Sequence, residues 1–108
     1  MTKKHKLSPR GQRRASERAA VSLAKDRVKL AELSPGGAAA RPISVESASV
    51  IDGASRDTPC AVCEGELDLR DHDAVVVDEV RLRRTNLVCR VCHTPRTIWF
   101  RIVPRAPN

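Results

Sequence analysis

Four cysteines stand in two identical clips, Cys60-Ala-Val-Cys63 and Cys89-Arg-Val-Cys92, with residues 64 to 88 between them. A C-x-x-C turn aims two sulfurs at one point, and two such turns brought together complete a tetrahedron of thiolates. The chemistry this spacing predicts is metal binding through Cys60, Cys63, Cys89 and Cys92, with one structural zinc ion per chain. A shell closed by four thiolates keeps no position for water, so a hydrolytic metal site is not expected. Iron is the alternative metal on ligand type alone. A thiol redox clip or a disulfide pair is the remaining alternative, although redox clips open a helix in a βαβ setting and neither clip here does.

The histidines fit less well. His93 adjoins Cys92 and points away from its neighbour's ligand direction, while His72 falls at a bend and His5 in a basic run, where solvation is the simpler role. No phosphate-cradling glycine loop, G-x-S-x-G elbow or H-E-x-x-H motif occurs in the chain, so no enzyme chemistry and no small-molecule substrate are expected. The sequence opens at a methionine without a secretory core or an 18-residue apolar run, which predicts a soluble, cytoplasmic protein without a membrane partner. Clustered thiols in a reducing compartment favour metal over disulfides.

The elements that must position the clips are separated by composition. Of the formal net charge of +7, all lies before residue 34, where ten Lys or Arg face three acids. Residues 1 to 14 hold Lys3, Lys4, Lys6, Arg10, Arg13 and Arg14 without an acid and read as a basic, extended arm suited to polyanions. Ser8-Pro9 supplies an N-cap and a first-turn proline, so residues 8 to 33 read as an amphipathic basic helix with an apolar stripe at Val21, Ala24, Val28 and Ala31. Residues 34 to 58 are rich in Ala, Ser, Gly and Pro and read as a linker, in which 43 to 51 is a candidate for a short edge strand.

Residues 59 to 105 read as the folded unit. A strand near Leu67 to Leu69 and another from Ala74 to Val77, a turn at Asp78-Glu79, a strand from Val80 through Val88, and a strand from Thr97 to Val103 give a three-stranded antiparallel sheet pinned by metal at one end. Alternation predicts Val80, Leu82, Ile98, Phe100 and Ile102 on one face and Arg81, Arg83, Trp99 and Arg101 on the other. So small a unit depends on its metal, because burial below roughly 70 residues supplies only a few kcal/mol.

The two clips, the hairpin between them and the strand after the second clip resemble a zinc ribbon, over Pro59 to about Val103. The resemblance implies a small metal-stabilised β fold, preceded here by the basic helix, with the four cysteines as ligands. His93 stands where the family often has glycine. The rubredoxin alternative is poorer, since those iron proteins look rich in aromatic residues and this chain has one Trp, one Phe and no Tyr. Asp78-Glu79 is similar in place to the acidic pair at the hairpin tip in the C-terminal ribbon of eukaryotic transcript-cleavage elongation factors. The Ala74 to Val77 approach departs from that family, and Asp-Glu is also ordinary turn chemistry.

Ribbons occur in ribosomal proteins, RNA polymerase subunits, transcription factors and accessory modules, so the partner is read from the basic arm and helix, which suit nucleic acid or a nucleic-acid machine such as a ribosome or RNA polymerase. Lys3, Lys4, Lys6, Arg10, Arg13 and Arg14 are the candidate contacts in the arm, and Arg81, Arg83, Trp99 and Arg101 those on the sheet. A protein-interaction adaptor, using the sheet face and the alanine-striped helix, is the competing function.

Overall fold

The computed structural model describes residues 8 to 105. Helix α1, Pro9–Leu33, starts where the Ser8 side chain accepts the Gly11 N–H at 3.1 Å and Pro9 takes the first turn. It has no buried residue. Its C-terminus is closed by the Ser34 hydroxyl donating to the Leu30 carbonyl and by the Gly37 N–H donating to the Ser34 carbonyl. The molecule measures 75 × 28 × 24 Å, and a 25-residue helix of about 37 Å supplies much of that length.

The sheet has four strands, not three, in the order β1-β4-β3-β2. Strands β2 (Leu67–Val77) and β3 (Val80–Cys89) form a long antiparallel hairpin, and β4 (Pro95–Ile102) pairs antiparallel with β3. The two short strands expected before the turn are one continuous β2, with an irregularity between Leu69 and Asp71 that absorbs the bend. The fourth strand is β1, Ile43–Val45, which runs parallel to β4 with Ile43 opposite Phe100 and Val45 opposite Ile102. A three-residue strand with a partner more than fifty positions away leaves little local signal.

The segment expected to be a linker is packed structure. Gly36 is buried at φ +82°, its N–H donates to the Arg41 carbonyl and its carbonyl accepts the Trp99 N–H at 2.8 Å. After β1, a single 3-10 turn (Ala48–Val50) leads into the short helix α2, Ile51–Arg56, where an edge strand to residue 51 was expected. Ile51 and Ser55, one turn apart, are both fully buried over the sheet. The buried Ser55 and Thr85 hydroxyls bond at 2.9 Å, and Thr85 donates onward to the Ile98 carbonyl. These bonds satisfy polar groups that would otherwise be costly inside an apolar layer.

Under α2 lies the core, in which Ile51, Leu67, Leu87, Ile98 and Phe100 join the sulfurs of Cys60 and Cys89. Register corrects the expected faces. Arg83 stands opposite Phe100, Arg84 opposite Trp99 and Thr85 opposite Ile98. Paired residues share a face, so Arg81 and Arg83 belong to the core side, while Leu82 and Arg84 join Trp99 and Arg101 on the outer side. Alternation within each strand was sound, but it does not state which face of one strand matches which face of the next.

Two substitutions test the turns. A Cβ at Gly37 would sit 2.0 Å from the Ala31 carbonyl oxygen, so Gly37→Ala is expected to destabilise by roughly 2 kcal/mol or more in thermal unfolding. At the hairpin tip Asp78 and Glu79 both have positive φ, +49° and +67°, the requirement of a primed two-residue turn. Glu79→Gly is therefore expected to stabilise by about 1 kcal/mol in the same assay.

Candidate metal centre

The first clip precedes β2, and the second joins the end of β3 to the start of β4. The β2–β3 hairpin brings them together, because Leu67 pairs with Cys89. Each clip then closes by the same bonds. Cys60 N–H donates to the Gly65 carbonyl and Glu64 N–H to the Cys60 carbonyl; Cys89 N–H donates to the Thr94 carbonyl and His93 N–H to the Cys89 carbonyl. Glu64 (φ +62°) and His93 (φ +63°) hold the left-handed position of their clips. His93 serves as that turn residue in the place where glycine was the familiar choice.

The ligand atoms of Cys60, Cys63, Cys89 and Cys92 all lie within 4.8 Å of one another. Cys60 Sγ is 3.6 Å from Cys92 Sγ, and Cys63 Sγ is 3.4 Å from Cys89 Sγ. A tetrahedron with metal–sulfur bonds near 2.3 Å has edges of about 3.8 Å, so the group fits one ion after shifts of no more than about an ångström. The same separations are far beyond a disulfide bond of about 2.05 Å. Four soft donors converging on one point are positioned to bind a metal ion.

Backbone dipoles prepare the sulfurs for negative charge. Val62 N–H reaches Cys60 Sγ and Gly65 N–H reaches Cys63 Sγ, each at 3.4 Å; Val91 and Cys92 N–H reach Cys89 Sγ at 3.4 and 3.5 Å. The Thr94 hydroxyl lies 3.0 Å from Cys92 Sγ. The Thr94 hydroxyl, followed by its N–H, draws the Cys92 thiol down to about 6. The N–H groups of Cys92 and then Val91 lower Cys89, against the opposing effect of burial. At Cys63 the Gly65 N–H also favours the thiolate, but the neighbouring Cys89 sulfur, burial, and the Cys92 and Cys60 sulfurs outweigh it and push the thiol up to about 12. Four adjacent sulfurs do not all become anionic without a cation among them. A bound ion supplies the positive charge that lets the four thiolates share this space.

The other candidate residues are dispersed. Lys3, Lys4 and Lys6, with His5, lie outside the described residues. Arg10, Arg13 and Arg14 are exposed on the first turns of α1. Trp99 and Arg101 share the outer face, but Arg81 and Arg83 do not, and the four residues form no single surface. Arg84 was the missed neighbour: its guanidinium carbon lies 5.8 Å from the Trp99 ring centre and its Nη2 is 3.2 Å from Asp73. His72 bonds Asp52 of α2 at 2.8 Å through Nδ1 and takes no part in the cluster. Asp78 and Glu79 cap the opposite end of the hairpin from the sulfurs. No helix among the described residues is long and apolar enough to cross a membrane.

Because two of the sulfurs belong to the core, removing the ion is expected to unfold the domain and not merely empty a site. A strong chelator should abolish the sheet signal in circular dichroism, with readdition restoring it; structural zinc in small folds contributes an apparent ~10–16 kcal/mol. Thr94→Val keeps the shape but removes the hydroxyl at Cys92. Its affinity for metal, measured against a competing chelator, is expected to fall by about 10- to 100-fold.

The comparisons with known proteins add no family to this site: no protein-family model matches the chain, and neither a curated protein nor a solved structure matches it.

Proposed function

We propose that the chain is a non-enzymatic zinc-ribbon protein that contacts nucleic acid, or a machine built on it such as a ribosome or RNA polymerase, in the cytoplasm. The ion is zinc, held structurally by Cys60, Cys63, Cys89 and Cys92, because four thiolates in a closed shell suit it and leave no site for substrate. The observation that carries the polyanion reading is the gathering of seven Lys or Arg on the single helix α1. On the sheet, Arg70, Arg84 and Arg90 are each paired with carboxylates. Among the described residues, no ion pair engages the basic residues of α1. Unpaired cations gathered on one element favour a partner that supplies many anions.

A second reading, a protein-interaction adaptor, is favoured by a groove of about 790 Å³ between the C-terminal half of α1, the loop at Gly37 to Arg41 and the Trp99 side of β4. Its walls include Val28, Ala31, Ala38 and Ala39, an apolar lining suited to a peptide.

Elemental analysis is expected to give one zinc per chain; iron, or protein that stays folded without metal, would overturn the ribbon. Deleting residues 2 to 14 from the metal-loaded chain is expected to weaken salt-sensitive binding to RNA or DNA. An intact chain that binds neither would sink the nucleic-acid reading and favour the adaptor.

A further inference from the structure

We propose that α1 itself carries a track for a phosphodiester backbone, formed by Arg10, Arg14, Arg18, Lys25 and Lys29 and indifferent to base sequence. The inference rests on the nucleic-acid reading above and extends its contact from the arm along the folded helix. At about 100° per residue, these five positions fall within an arc of about 100° on one side of α1. All five are exposed.

Three features favour phosphate along this side. Arg14, Arg18 and Lys25 line one shallow groove of about 440 Å³ with Glu17, Val21 and Ser22, so three cations and one carboxylate face the same space. The first turn holds no acid although Arg10 sits in it, with Arg13 and Arg14 just beyond. Cations at that end oppose the helix dipole, and an anion laid there relieves both. The helix, at about 37 Å, is as long as one turn of a duplex, about 34–36 Å.

The chemistry also limits what is read. Helix α1 has no aromatic ring and one amide side chain, Gln12, so it offers few groups for base stacking or for bidentate contacts to adenine. An anionic membrane is the weaker partner for this face. The exposed Leu23 and Leu30 lie on the opposite side of α1 from the track, and on the track's own side Val28 is half-buried, which leaves Val21 as the exposed large apolar residue within the arc and a poor basis for insertion between lipids.

The test uses the full metal-loaded chain and its R14Q/R18Q/K25Q variant. Glutamine keeps helix propensity, and circular dichroism checks that α1 persists. Binding to duplex DNA and duplex RNA of mixed sequence is measured across a range of potassium chloride. The variant is expected to lower the magnitude of the slope of log K against log salt by about 2.7 on DNA, since each lost phosphate contact removes about 0.9. The control R81Q/R83Q/R101Q should leave the slope unchanged. Loss of slope on either duplex supports the track, and the duplex that shows it names the nucleic acid. If the intact chain binds and the triple variant binds with the same slope, the track is wrong while the nucleic-acid reading stands. If the intact chain binds neither duplex, the track is wrong, and binding of single-stranded RNA and DNA then decides whether the nucleic-acid reading stands; capture by phosphatidylserine vesicles with no nucleic acid bound would assign the face to a membrane.

Discussion

Like charge confined in a small space is the constraint on which the sheet domain depends. Four sulfurs within 4.8 Å of one another are tolerable as thiolates only around a cation. Their backbone surroundings are built for the charged form, with N–H groups aimed at Cys60, Cys63 and Cys89 and a hydroxyl beside Cys92. The cluster also joins the entry to β2, the end of β3 and the start of β4, and shares Cys60 and Cys89 with the core. Folding, metal binding and formation of the core are therefore expected to be coupled. A sheet with so few buried side chains has no separate reserve of hydrophobic energy to fall back on.

From that anchored sheet, contacts reach the C-terminal half of α1. The Arg27 guanidinium donates to the Val62 carbonyl at 2.6 Å, between the two cysteines of the first clip, and Arg41 donates to the Glu32 carbonyl at 2.7 Å. Gly36 then binds the edge of β4 through Trp99. These contacts fix the lower turns and leave the basic upper turns to solvent. A metal ion held there would thus bear indirectly on α1, because Val62, which receives Arg27, belongs to the first clip.

Much of this was legible because the signals are local. The clips announce themselves by spacing, the start of α1 by Ser8-Pro9, and the hairpin by valine runs around Asp78-Glu79. What was not legible depends on partners distant in sequence. The three residues of β1 acquire a strand's hydrogen bonds only when β4 arrives, and α2 is too short for a period, holding its place through Ile51 and Ser55. The facing of Arg83 and Arg84 had a usable signal that strand alternation alone missed. Cys89 must turn toward the cluster, and counting back by twos gives Leu87, Thr85 and Arg83 on its side, leaving Leu82 and Arg84 on the other.

That parity also decides that Arg84, on the outer face, is already engaged within the fold. On the outer face, Asp73, Arg84 and Trp99 lie in register across three strands, so the guanidinium is held between a carboxylate and a ring. Beside them Asp71, Asn86 and Thr97 form a second row joined by hydrogen bonds. To release Arg84 toward a phosphate, its bond to Asp73 and its packing on Trp99 would both have to be given up, and Asp71 and Asp73 would repel the ligand. Along α1 no such bond has to break, because among the described residues no carboxylate is paired with the cations there. Recruiting Arg84 on the sheet would therefore break contacts of the fold, whereas the exposed cations of α1 have none of that kind to lose.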